Sequence, residues 1–310
     1  MSKFLYLQDF HIKGKNPEYR IDNYYQSMLE KLDEVLSIAK LHKVDFIIDG
    51  GDLLNGETIA NTIVDDILDR AELCNIPWHL LYGNHSMLHG HIENSKTTSL
   101  AHMIRRSKIM NHLTSIKDKK FQIDSKEFSY GVEEDIKKDG LIHKCKNKTS
   151  IMVCHALITL KPFHPSVSHV VAKDIKTNYD IIFVAHYHQG WGIKEINKTQ
   201  FINISCIGRM KKDEMNIIPK VAILDTETKK IDVIELKSAK PYKEVFNLEL
   251  IEKKKNTDNN LDVFVKSLEN TELQSIDTLG LVLEVGRNTG VDKIVIDAIT
   301  KKIEEIPDEY

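Results

Sequence analysis

Eight residues of this 310-residue chain have the types and positions to do metal chemistry: Asp9, His11, Asp52, Asn84, His85, His155, His186 and His188. Each closely follows an apolar run. KFLYLQ (3–8) delivers Asp9 and His11, Phe46-Ile47-Ile48 leads to Asp52, and Trp78 to Tyr82 leads to Asn84 and His85. Thr149 to Cys154 ends at His155, and DIIFVA (180–185) ends at His186-Tyr187-His188. Carboxylate, imidazole and amide oxygen make a mixed nitrogen and oxygen donor set suited to Mn²⁺, Fe or Zn²⁺, without the thiolates of a structural zinc site. A lone histidine is more often a surface or core residue than a ligand. Five strand ends in succession, all finishing in ligand types, point to function. So many donors exceed the needs of one ion, so the pattern suggests two ions roughly 3.5–4 Å apart with a shared carboxylate. Asp52 is the bridging candidate, as the only acid in the central turn that follows Gly50-Gly51.

Such a cluster needs buried parallel strands whose carboxyl ends open on one crevice. The chain supplies them. Between the first two strands, Met28, Leu29, Leu32, Val35, Leu36 and Ala39 recur at helical spacing, with Asp22 or Asn23 as cap. Ile59, Ile63, Ile67, Leu68 and Ala71 predict the next helix, giving β-α-β-α-β up to His85. Leu100, Met103 and Ile104 suggest a further helix, followed by an irregular polar stretch over 111–120 and short strands over 121–132. Strands are also expected at Phe201–Ile204, Val221–Leu224 and Ile231–Ile234. From Lys237 the charge rises, EKKKNTDNN (252–260) reads as a loop, and Val291 to Ile306 has helical periodicity. The expected division is therefore a main domain over 1–236 and a small α+β domain over 237–310. His89 and His91 follow no strand and read as loop residues. His42, His79, His102, His112 and His143 are read as ordinary surface or core histidines.

A 41% hydrophobic and 29% charged composition is that of a folded globular chain. No apolar run approaches the ~18 residues that span a bilayer, and Asp9 comes too early for a secretory leader. Cys74, Cys145, Cys154 and Cys206 show no CxxC spacing, so reduced thiols and a cytoplasmic location are expected. The net charge of −3 gives no global nucleic-acid signal, although basic clusters occur at Lys13, Lys15 and Arg20 and at Lys211 and Lys212. Bound divalent cations add positive charge that such a count omits.

Taken together, D-x-H (Asp9, His11), GD (Gly51, Asp52), GNH (Gly83 to His85), His155 and H-x-H (His186, His188) resemble the motif set of calcineurin-like metallophosphoesterases. That resemblance implies a four-layer α/β/β/α sandwich with a dinuclear centre. It assigns Asp9, His11, Asp52 and His188 to one ion, and Asp52, Asn84, His155 and His186 to the other. His85 becomes the general acid or a stabiliser of the scissile phosphate. Ser86 stands where the family usually has an acid, and Ala185 where it usually has glycine.

Within the superfamily, LQDFHIKG…R, VDFIIDGGDLLN and NISCIGRM are similar to segments of SbcD-type DNA repair nucleases, including phage recombination endonuclease subunits. This similarity implies a Mn²⁺-dependent DNA phosphodiesterase, a 3′–5′ exonuclease with endonuclease activity left open, acting with an SbcC-like coiled-coil ATPase in recombination, repair or replication. Its carboxy-terminal region would cap DNA or bind the partner. Lys13, Lys15, Arg20 and Arg209 become the expected DNA contacts, and a homodimer stays open. The alternative is a phosphatase or small-molecule phosphodiesterase of the same superfamily. A non-catalytic scaffold predicts eroded ligands, and none of the seven is missing.

Overall fold

The computed structural model describes residues 2–143 and 148–254, together with Asp297 and Lys301. The chain forms two compact units, Met1–Phe246 and Asn247–Tyr310. In the first, β1 (Lys3–Leu7), α1 (Tyr24–Leu41), β2 (Phe46–Asp49), α2 (Asn61–Cys74) and β3 (Trp78–Leu80) follow the expected alternation. Then come α3 (Ser99–Arg106), β4 (Met110–His112), β5 (Ser115–Lys117), β6 (Phe121–Lys126), α4 (Val132–Asp139) and β7 (Thr149–His155). After β7 lie β8 (Ile158–Thr159), β9 (Val170–Val171), β10 (Ile181–Ala185), β11 (Gly192–Ile196) and β12 (Thr199–Asn203). β13 (Lys220–Asp225), β14 (Ile231–Glu235) and the short α5 (Tyr242–Val245) complete the unit.

Two six-stranded sheets result, in the orders β14-β13-β1-β2-β3-β4 and β11-β12-β10-β7-β6-β5. Pairing is parallel along β1-β2-β3-β4 and along β12-β10-β7-β6. Antiparallel strands close one edge of the first sheet and both edges of the second. Alternation along β1 shows how the layers stack. Phe4 and Tyr6 enter a core with Phe46, Ile48, Val153, Ile181 and Phe183, which joins the inner faces of the two sheets. Leu5 and Leu7 face the other way, into a core with Met28, Leu32 and Val35 of α1 and Ile63 and Ile67 of α2. A third core sets Val132 and Ile136 of α4 against Met152, Cys154, Ile182 and Val184 of the second sheet. The fold is thus a mixed α/β sandwich of two sheets with helices outside them. Strands buried on both faces read as continuous apolar runs, which is why they were legible.

Local expectations are corrected in places. The stretch 111–120 holds β4 and β5 rather than irregular chain. Asn23, not Asp22, caps α1, accepting from the Gln26 amide at 3.1 Å. Residues 237–246 belong to the first unit: the amides of Lys237 and Ser238 donate to Glu34 at 2.8 and 2.7 Å, and Phe246 pairs with Arg20. In the second unit 248–254 is helical, so the stretch expected as a loop begins as helix. The rest of it, and the periodic segment Val291 to Ile306 apart from Asp297 and Lys301, lie outside the described residues.

Candidate metal centre

All five ligand-bearing turns lie at carboxyl ends of parallel strands: β1, β2, β3, β7 and β10. The turns are unusually bent. Asp9, His11, Asp52 and His186 have φ of 48, 54, 57 and 80°, in the left-handed region that side chains other than glycine rarely enter. Strain of this kind persists only where surrounding bonds over-determine it. Here the Asp9 amide donates to the Gly51 carbonyl at 3.1 Å and the His11 amide to the Asp52 carbonyl at 2.8 Å. The His186 amide donates to Asp9 Oδ2 at 3.1 Å. Two glycines make room: a Cβ on Gly51, at φ 111°, would run into the His155 imidazole, and one on Gly83 into the Asp52 carboxylate.

The donors form two groups that share Asp52. Asp9, His11 and His188 lie together, as do Asp52, His155 and His186, while Asp52 also reaches His11 and His85. His11 Nε2 is 3.9 Å and His155 Nε2 3.4 Å from Asp52 Oδ2. His188 Nε2 is 3.9 Å from Asp9 Oδ1, and Asn84 Oδ1 is 3.3 Å from His155 Nε2. All seven expected ligands are gathered. His85 sits beside them, its ring edge-on to His11 at 4.8 Å and its amide donating to Asp52 Oδ1 at 2.9 Å.

Proton placement tests whether cations fit. His155 Nδ1 is 2.9 Å from the Gly50 carbonyl, and His188 Nδ1 is 2.6 Å from Glu214 Oε1. Both partners are acceptors, so each Nδ1 carries a proton, and once the ring is neutral its lone pair lies at Nε2. His11 Nδ1 meets Asn55 Oδ1 at 3.0 Å in the same way. The lone pairs of His11 and His188 then face each other across 3.0 Å, and that of His155 faces two oxygens. Asp52 Oδ2 is buried without a hydrogen-bond partner. Acceptors converging on acceptors, on both sides of an unpaired carboxylate oxygen, are what two cations would resolve. The residues fit the group.

Without ions the charges redistribute. Burial opposes an imidazolium at His155, but Asp52, Asp9 and the Gly50 carbonyl outweigh it and hold the group up at about 9. Burial, reinforced by His155, pushes His186 down to about 3. Burial raises Asp9 against the pull of His188 and His155, whereas His155, His11 and His85 overcome burial and hold Asp52 well below the carboxylate range.

Other expected contacts are placed differently. Arg20 is 5% exposed and bonds Asp22 with two nitrogens at 2.8 and 2.7 Å and the Arg209 carbonyl at 2.7 Å. Arg209 is also buried, and donates to the carbonyls of Met215, Ile217 and Lys240. Both arginines therefore hold loops together, since their guanidinium groups are enclosed and engaged by the protein itself. Lys13 is half-buried and Lys15 exposed. Sequence reasoning missed Glu214, Asn55 and Gln8, which orient His188, His11 and Asp9. Asn55 closes the GDLLN run, the one signal that could have found it; Glu214 lies in an irregular stretch with no spacing cue.

An open cleft of about 550 Å³ leads to the cluster, lined by Asn84, His85, His186, His188, Phe163, Tyr187 and Lys211 among others. Among the described residues, no helix is long and apolar enough to cross a membrane. Cys74, Cys154 and Cys206 are buried free thiols.

This sandwich, with its paired His and Asp groups, places the chain in a known class: it belongs to the calcineurin-like phosphoesterase family, whose model matches residues 3–190. Members typically hold two divalent ions, and the clusters here fit that pattern. Among solved structures the chain is similar to a dimetal phosphatase from Danio rerio, at 10% identity over 77% of this chain and 97% of that one, with a TM-score of 0.47. It is similar to YfcE, a phosphoesterase from E. coli, at 13% identity over 76% and 99% of the chains, with a TM-score of 0.37. Vps29 from Chaetomium thermophilum aligns at 10% identity over 76% and 96%, with a TM-score of 0.32. No curated protein sequence matches the chain.

Proposed function

We propose that this metal-dependent phosphoester hydrolase is a DNA nuclease, cleaving phosphodiesters as a 3′–5′ exonuclease with Mn²⁺ in both half-sites. The observation that carries the hydrolase chemistry is the convergence of lone pairs on either side of the unpaired Asp52 oxygen. Two divalent ions bound there would supply a nucleophilic water near neutral pH and neutralise the phosphate oxygens. Asp9, His11, Asp52 and His188 would hold one, and Asp52, Asn84, His155 and His186 the other. The protein's own residues do the rest. Glu214 and the Gly50 carbonyl fix the tautomers of His188 and His155. His85, half-buried in the cleft wall, is placed to give a proton to the leaving oxygen.

Support for DNA as substrate comes from the segments that resemble SbcD-type nucleases, which meet in the fold. The amides of Ile207 and Gly208, in NISCIGRM, both donate to the Asp9 carbonyl at 3.1 Å. That second segment therefore props up the first ligand turn. An SbcC-like ATPase partner and a role in recombination, repair or replication follow from the same resemblance. The burial of Arg20 and Arg209 favours the second reading, a phosphatase or small-molecule phosphodiesterase, because it removes two of the four expected DNA contacts. Comparing kcat/KM on a DNA oligonucleotide with that on an aryl phosphate monoester separates them. A nuclease prefers the oligonucleotide; preference for the monoester would move the assignment to a phosphatase.

A further inference from the structure

We propose that three aromatic side chains beside the cleft, Phe163, Tyr187 and Trp191, form a stacking platform for the base next to the scissile phosphate. This rests on the nuclease reading and adds a base-binding subsite to it. Tyr187 lies between the ligands His186 and His188, and both it and Phe163 line the cleft that holds His85. The Tyr187 ring is stacked on Trp191 at 5.9 Å and 29°, and Phe163 meets Tyr187 edge-on at 6.3 Å and 81°. Trp191 packs against the third core and anchors the row.

A row of this kind usually closes a small core under a loop. Phe163 does not fit that role. It is 43% exposed, belongs to none of the three cores, and sits on a loop, 161–168, whose residues are all exposed. Keeping a large aromatic at the mouth of the cleft leaves apolar surface in water, a cost that a planar ligand would offset. Lys211 lines the same cleft and offers a cation to a neighbouring phosphate. A planar base has a face for such rings whatever its identity, so the platform would bind nucleotides without selecting sequence.

The test uses one oligonucleotide with ordinary bases and a second whose nucleotides at the cleaved end are abasic. Wild-type protein should favour the first by on the order of tenfold in kcat/KM, mostly through KM. Phe163→Ala should erase that ratio, and Phe163→Trp, which keeps a ring, should restore it. Equal cleavage of the two strands by wild type, or the wild-type ratio persisting in Phe163→Ala, would overturn the platform and leave the nuclease reading standing. Turnover of an aryl phosphate with no cleavage of either strand would overturn the nuclease reading, and the platform with it. With the ions removed by EDTA, a terminal 2-aminopurine should be quenched by wild type and not by Phe163→Ala.

Discussion

Glu214 controls how His188 faces the cluster, because a carboxylate 2.6 Å from Nδ1 keeps the proton there and leaves the Nε2 lone pair for an ion. The carboxylate is itself fixed by the amides of Met210 and Lys211, at 2.6 and 2.9 Å. Glu214→Gln should therefore weaken Mn²⁺ binding by roughly 10–100-fold in a calorimetric titration. Unchanged affinity would mean that His188 is oriented by something else. Ser86 presents a contrast, for it is buried and its hydroxyl has no partner. Among the described residues no carboxylate bonds the His85 ring, so its position rests on the backbone bond to Asp52 and the contact with His11. At this scale the clustered donors were legible because each closely follows an apolar run. Glu214 was not, since it lies 26 residues beyond His188 in sequence and only the tertiary fold brings it close. Arg20 and Arg209 were misread because a basic residue in a polar loop gives no sign of whether it faces solvent or the carbonyls of its own protein.

Helix α1 carries an unusual load, a lysine in its buried face. Lys31 is 1% exposed and donates to the Ser27 carbonyl and hydroxyl at 3.1 and 2.8 Å. Burial, helped by the charges of Arg20 and Arg209 and only partly offset by Asp22 and Glu30, pulls it from 10.5 down to about 7. Between those values the unfolded chain holds a proton that the folded chain lacks, so stability rises with pH across that window and is flat below it. Lys31→Met should raise the urea midpoint at pH 6.5, a gain in unfolding free energy of about 1–4 kcal/mol. Its advantage should shrink steadily as the pH is raised towards 10. A gap independent of pH would show that Lys31 stays charged in the fold. Among elements, the long runs of β1, β2, β7 and β10 could be read directly. β4 and β5 have three residues each, and β11 is exposed along most of its length, so none of them carries a buried run to detect. α4 was missed for a similar reason: it has eight residues and buries only Val132, Glu133 and Ile136.

Over the whole molecule, two sheets with one shared core bring turns more than 170 residues apart into a single cluster, as the 3.9 Å approach of His188 to Asp9 shows. The β-α-β order implied the first sheet. It did not reveal that β13 returns antiparallel to β1, because that pairing joins strands over 200 residues apart. The boundary at Lys237 was misplaced because charge rises there while the backbone stays tied to Glu34 and Arg209. The activity proposed for this architecture is hydrolysis of DNA by the cluster. The direct measurement is release of label from end-labelled linear duplex in Mn²⁺, with His85→Ala alongside. Wild-type protein should release the label, and the variant should be slower by about 10²–10⁴-fold. Intact label after incubation with wild-type protein that holds two Mn²⁺ ions and turns over an aryl phosphodiester would contradict it.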